Sequence, residues 1–104
     1  MNIEKFVFVV AGVLPGSPQI RMLATAACSV RLFNSHAMVI VVTDEISTTA
    51  VEALREKFPD IFCEVVEVNC PSGSAPFRSR FLKTQIGVVI DAPFIYLDID
   101  ILVR

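Results

Sequence analysis

Lys5-Phe6-Val7-Phe8-Val9-Val10 is an unbroken run of β-branched and aromatic residues that gives way, at Ala11-Gly12, to a loop containing glycine and proline. A strand with one face in water alternates apolar and polar side chains, whereas a strand covered on both faces has no polar side to show. The run therefore predicts a buried strand from Phe6 to Val10. Ala37 to Val42 reads the same way and closes at Thr43-Asp44-Glu45. Val65 to Val68 is a third, shorter strand. Phe94-Ile95-Tyr96-Leu97 is the fourth and runs into Asp98-Ile99-Asp100-Ile101-Leu102-Val103.

Helical patterns fill the intervals. Ser17-Pro18 is an N-cap followed by proline at the first helical position. Ile20, Leu23, Ala24, Ala27 and Val30 follow at helical spacing, with Arg21 and Arg31 off that stripe and Asn34-Ser35-His36 ending it. Thr49 with Glu52 has the spacing of a capping box, Val51, Leu54 and Phe58 form the next apolar face, and Pro59 stops it. Asn69 to Pro76 crowds Pro, Ser and Gly into a loop. Phe77 to Ile90 is the third helix, with Gly87 its weak point, and Asp91-Ala92-Pro93 is a turn.

Strand and helix alternate throughout. That order predicts right-handed crossovers and a mainly parallel sheet in an α/β, three-layer, Rossmann-like half-domain. With strand order 3-2-1-4, the order reverses between the first and fourth strands. Ligands of open α/β sheets bind beyond the carboxyl ends of the strands at such a reversal. The Ala11-Gly12 loop and the pair Asp98 and Asp100 are then expected to face each other across one crevice.

The chain has 104 residues, enough for one domain spanning 1–104. It is 54% hydrophobic, consistent with strands covered on both faces. A net charge of -2 leaves no overall basic field for nucleic acid or an anionic membrane. No apolar run approaches the roughly 20 residues needed to span a bilayer. Glu4 before Phe6–Leu14, and Pro15-Gly16-Ser17-Pro18 after it, read against a signal peptide. The 3 cysteines, Cys28, Cys63 and Cys70, are odd in number and form no CxxC pair, which points to reduced thiols in a cytoplasmic protein.

Asp98 and Asp100 are the sharpest chemical signal. Strand alternation turns both carboxylates to one side and Ile99 to the other. Two ionised carboxylates that close repel each other, and a hard divalent cation relieves the repulsion and can hold a diphosphate as well. Arg80 and Lys83, at i and i+3, share a helix face and could neutralise phosphate oxygens. Arg78 lies about 200° of rotation from Arg80 and should point elsewhere. Gly12 lets the backbone approach a base or phosphate closely, although Gly12–Gly16 is neither GxGxxG nor a P-loop. Ser17 at a helix start could meet an anion. Asp44 reads as a ribose acceptor or as a plain turn acid. His36, the only histidine, falls at the other end of the fold.

Arg80-Phe81-Leu82-Lys83 and Phe94-Ile95-Tyr96-Leu97-Asp98-Ile99-Asp100-Ile101-Leu102-Val103 resemble the donor-site region of GT-A-fold glycosyltransferases, most closely the retaining family 8 group that includes glycogenin and the bacterial lipopolysaccharide galactosyltransferases. The resemblance covers the chain in element order and is specific over its last 25 or so residues. It implies transfer of a sugar from a nucleotide-sugar, usually a UDP-sugar, to an acceptor the sequence does not name, with Mn2+ (or Mg2+). It places metal and donor diphosphate on Asp98 and Asp100, donor contacts on Arg80 and then Lys83, and the base on Ala11 and Gly12. The sequence departs from the family where Gly12-Val13-Leu14-Pro15 stands in place of acidic or polar residues and a Tyr. It also ends at Arg104, ahead of the family's acceptor half and its C-terminal His ligand, so the chain reads as a donor-binding fragment with an open sheet edge that invites self-association.

Two other readings stay open. A hydrophobic strand ending in Asp-x-Asp is also the motif of haloacid-dehalogenase-like phosphatases, where the first Asp is the nucleophile. A Rossmann-like half can equally be a non-catalytic module that binds nucleotide or pairs with another chain.

Overall fold

Helices and strands alternate as β1 (Lys5–Val10), α1 (Pro18–Phe33), β2 (Met38–Thr43), α2 (Thr48–Lys57), β3 (Glu64–Glu67), α3 (Ala75–Val89) and β4 (Ile95–Tyr96). The computed structural model describes residues 4–34, 36–90 and 93–97. The strands form one sheet in the order β3-β2-β1-β4, the order expected from the sequence, and every pairing is parallel.

The central strands carry the apolar runs for a physical reason. Phe6, Phe8 and Val10 of β1, with Val39 and Val41 of β2, pack against Leu23, Ala26, Ala27 and Val30 of α1 and against Val51 and Leu54 of α2. The alternate residues Val7, Val9, Ile40 and Val42 pack against Leu82, Ile86 and Ile90, on the side of α3. The result is three layers, α1 and α2 on one face and α3 on the other. Phe8, Leu23 and Leu82 are fully buried, each contributing roughly 1.5–3 kcal/mol relative to exposure. The outer strands differ: β3 is half-exposed and β4 exposed.

Local details depart from the sequence reading in instructive ways. The Thr49–Glu52 capping box does not form, because α2 starts at Thr48 with Ser47 as its N-cap, and Thr49 already lies in the helix. Phe58 is the C-cap of α2 and is exposed instead of joining its apolar face. The third helix begins at Ala75, ahead of Phe77, since the Ser74 side chain accepts from the Phe77 amide and Pro76 needs no amide partner in the first turn. No described helix is long and apolar enough to cross a membrane.

Candidate functional site

The carboxyl edge of the sheet is built from the ends of β1 and β2, the segment after β3 and the first turn of α3. At its centre is Asp44, directly after β2 and fully buried. Its Oδ2 accepts the Gly12 amide at 3.0 Å and Nε of Arg78 at 2.6 Å. Its Oδ1 accepts the Ser47 amide at 2.8 Å, an Asx-type closure at the start of α2. The Ser47 hydroxyl in turn accepts the Val13 amide at 2.8 Å. Ser47 does not cap its helix because its oxygen serves the loop after β1.

Arg78 is buried, and its guanidinium is shared among three acceptors. Nε goes to Asp44, Nη1 to the Pro71 carbonyl at 3.1 Å, and Nη2 to Glu45. Glu45 also accepts the Cys70 amide at 3.1 Å. One guanidinium thereby joins the end of β2, the loop after β3 and the first turn of α3, and through Asp44 it reaches the loop after β1.

Burial alone would push the Asp44 carboxyl up. The Arg78 guanidinium, the Ser47 hydroxyl and amide, and the Gly12 amide outweigh it and hold the carboxyl below its ordinary value. Glu45 is lowered by its own amide, then by the Cys70 amide and Arg78. Hydrogen bonds to Asp44 and then Glu45 raise Arg78 further. Burial pushes the Cys70 thiol up, against the pull of Arg78. Among the described residues no buried side-chain nitrogen or oxygen lacks a partner.

Of the residues singled out in the sequence as a binding site, Gly12 bonds directly into this hub. Ala11 is half-buried against the α3-side core. Gly12 has φ 66°, a left-handed conformation that glycine adopts without strain, and its amide is spent on Asp44. Arg80 is exposed and makes no ion pair among the described residues, whereas Arg78 turns inward, as their angular separation requires. Lys83 is exposed, with Nζ 5.6 Å from the Tyr96 ring centroid. That contact sets Tyr96 on the α3 side of the sheet. Asp98 and Asp100 lie outside the described residues. β1 and β4 are neighbours, Val7 opposite Tyr96, and the Leu97 amide donates to the Val7 carbonyl at 3.0 Å.

Asp44 is fully buried, and both of its oxygens accept from protein donors. Ser17 bonds the Gln19 side chain. His36 is exposed in the turn before β2, at the opposite end of the sheet. The cysteines are unpaired. Sequence reasoning passes over Arg78 and Ser47 as site residues, although both leave a signal. Arg78 stands four positions before Leu82 on the stripe Leu82, Ile86, Ile90, and Asp44-x-x-Ser47 has Asx-turn spacing.

Among the described residues no three His, Cys, Asp or Glu side chains converge to hold a metal. Of the described acids at this edge, Asp44 and Glu45 are committed to Arg78, and Glu67 accepts the Thr48 hydroxyl. A groove of about 540 Å³ opens between α1 and α2, lined by Cys28, Leu32, Phe58 and Ile61 among others. It lies where those helices end, at the amino end of the sheet and away from this hub. No family model, curated protein or solved structure matches the chain.

Proposed function

We propose that the chain is the donor-binding half of a glycosyltransferase of GT-A type, working in the cytoplasm on a nucleotide-sugar, a UDP-sugar by the family resemblance. The observation that carries this reading is the adjacency of β1 and β4 where the strand order reverses, with Phe6 opposite Ile95 and Val7 opposite Tyr96. The loop after β1 and the sequence after β4 therefore start from neighbouring strands.

Asp98 and Asp100 share the sequence parity of Tyr96, the residue beneath Lys83. In this reading they hold Mn2+ or Mg2+, which supplies neutralising charge to the donor diphosphate when bound. Asp44 and Glu45 are engaged by Arg78 and would not compete for the ion. Lys83 and Arg80 offer exposed cations to the phosphates. Ala11 and Gly12 form a close-approach surface for the base. The same chain offers a second contact, the exposed edge of β4, through which copies would associate.

Calorimetric titration with UDP-glucose and UDP-galactose, with and without manganese, tests the reading. Manganese-dependent binding that disappears in Asp98→Asn and Asp100→Asn is the expected result. Nucleotide binding indifferent to metal and to both substitutions would favour the non-catalytic module instead. Steady hydrolysis of a generic phosphate ester would favour the phosphatase.

A further inference from the structure

We propose that Arg78 is a positioning residue that makes the base-binding loop and the phosphate-binding helix one rigid donor site; the inference rests on the glycosyltransferase reading. A single oxygen, Oδ2 of Asp44, accepts both the Gly12 amide at 3.0 Å and Arg78 Nε at 2.6 Å. Gly12 belongs to the loop assigned to the base. Arg78 lies in α3, which carries Arg80 and Lys83, the residues assigned to the diphosphate. The register between those two halves of the site therefore passes through one carboxylate and one guanidinium.

Arg78 is only 4% exposed and cannot itself touch a donor. Stability is a weak account of its presence. Desolvating an ion pair costs about what the pair returns, and apolar side chains of similar volume commonly serve the fold as well or better. An apolar residue continuing the stripe of Leu82, Ile86 and Ile90 would bury surface at this position without that cost. It would not hold Asp44, Glu45 and the Pro71 carbonyl in one geometry, as the planar guanidinium does.

The test compares three probes on the wild-type chain and on Arg78→Lys, which keeps the charge but loses the fork. The probes are uridine, manganese pyrophosphate, and UDP-glucose with manganese. A rigid site gives the intact donor an advantage over its separate parts, because binding one part places the other. The expected result is a loss of about tenfold or more for UDP-glucose, with uridine and pyrophosphate each changed less than about twofold. Loss of all three in proportion to a lowered melting temperature would assign Arg78 to stability alone and overturn the proposal. So would a folded variant that binds all three as the wild type does. Should Arg78→Lys not fold, Glu45→Ala removes the acceptor of one arm of the fork at a partly exposed position, and it should show the same selective loss in smaller degree; unchanged donor binding there overturns the proposal. A wild-type chain that binds none of the probes overturns the donor reading itself, a result distinct from wild-type binding that the variants leave intact.

Discussion

Nε of Arg78 donates to Oδ2 of Asp44 across 2.6 Å, although the two residues are 34 positions apart in the chain, and both side chains are shut away from water. The pair closes the carboxyl edge of the sheet. It fixes where α3 begins relative to β2, and through the Gly12 amide it fixes how the chain leaves β1.

Removing one partner should show how costly the other is when left alone. Asp44→Asn keeps the shape but leaves the guanidinium buried without its buried counter-charge, and should destabilise the fold by about 3 kcal/mol. Urea unfolding measures it. Pairing Asp44→Asn with Arg78→Leu should cost less than the sum of the single changes, because the stranded charge is gone. Strict additivity would mean that the two side chains do not interact.

Acid should find this hub first. Asp44 and Glu45 both have carboxyl pKa values below the ordinary range in the folded chain. A carboxyl lowered by folding contributes stability that is complete above its unfolded pKa and is lost as pH falls through its folded pKa. Unfolded Asp and Glu titrate near about 4. The urea midpoint should therefore hold level from neutral pH to about 5 and decline below about 4. Arg78 stays charged throughout. In Asp44→Asn the decline should be shallower, and an equally steep decline would place the acid sensitivity elsewhere.

Two glycines should respond in opposite directions. Gly12 has φ 66°, which an L side chain adopts at a cost of about 1 kcal/mol, so Gly12→Ala should lower stability by that order. Gly87 lies exposed inside α3, and an added Cβ would meet nothing within 4 Å. Gly87→Ala should stabilise by about 1 kcal/mol. Thermal unfolding of the two variants gives the signs directly.

The contrast between these positions explains what the sequence could convey. Parallel sheet, strand order and helix faces all follow from periodicity, because burying apolar surface drives folding more strongly than any other contribution and a repeating pattern records it. Phe6–Val10, and Leu23 with Ala27 and Val30, are read correctly for that reason. The hub is not periodic. Asp44 looks like any turn acid, and Arg78 like one of several surface cations, until the chain is folded and a contact across 34 positions satisfies both. The Thr49–Glu52 spacing misleads because Ser47, needed by the Val13 amide, starts the helix instead. Asp98 and Asp100, singled out by their place at the end of an apolar strand and by the resemblance, lie outside the described residues.

The edge of the sheet makes a prediction about concentration. Ile95 and Tyr96 of β4 are 43% and 37% exposed, and β1 is the strand's one partner in the described sheet. An edge strand with exposed apolar side chains is a template for another chain. Sedimentation velocity should show self-association rising with concentration, and Ile95→Lys should reduce it. A monomer at all concentrations would remove the edge as a contact.

Lys83 offers the most direct probe of the donor reading from a described residue. Its Nζ stands 5.6 Å from the Tyr96 ring centroid, a cation–π contact worth about 0.5–1 kcal/mol at an exposed position. The ring therefore holds the ammonium on the α3 side of β4. If the ammonium meets donor phosphate there, Lys83→Ala should weaken UDP-sugar binding about tenfold, equivalent to about 1.4 kcal/mol. Tyr96→Leu leaves the charge but not its rest, and should cost about threefold. Tyr96→Phe keeps the ring face and should bind nearly as the wild type. Raising ionic strength should shrink the Lys83→Ala effect, because screening weakens exposed charges. Calorimetry on the set reads all four, and a donor affinity indifferent to Lys83 would move the phosphate contact to Arg80.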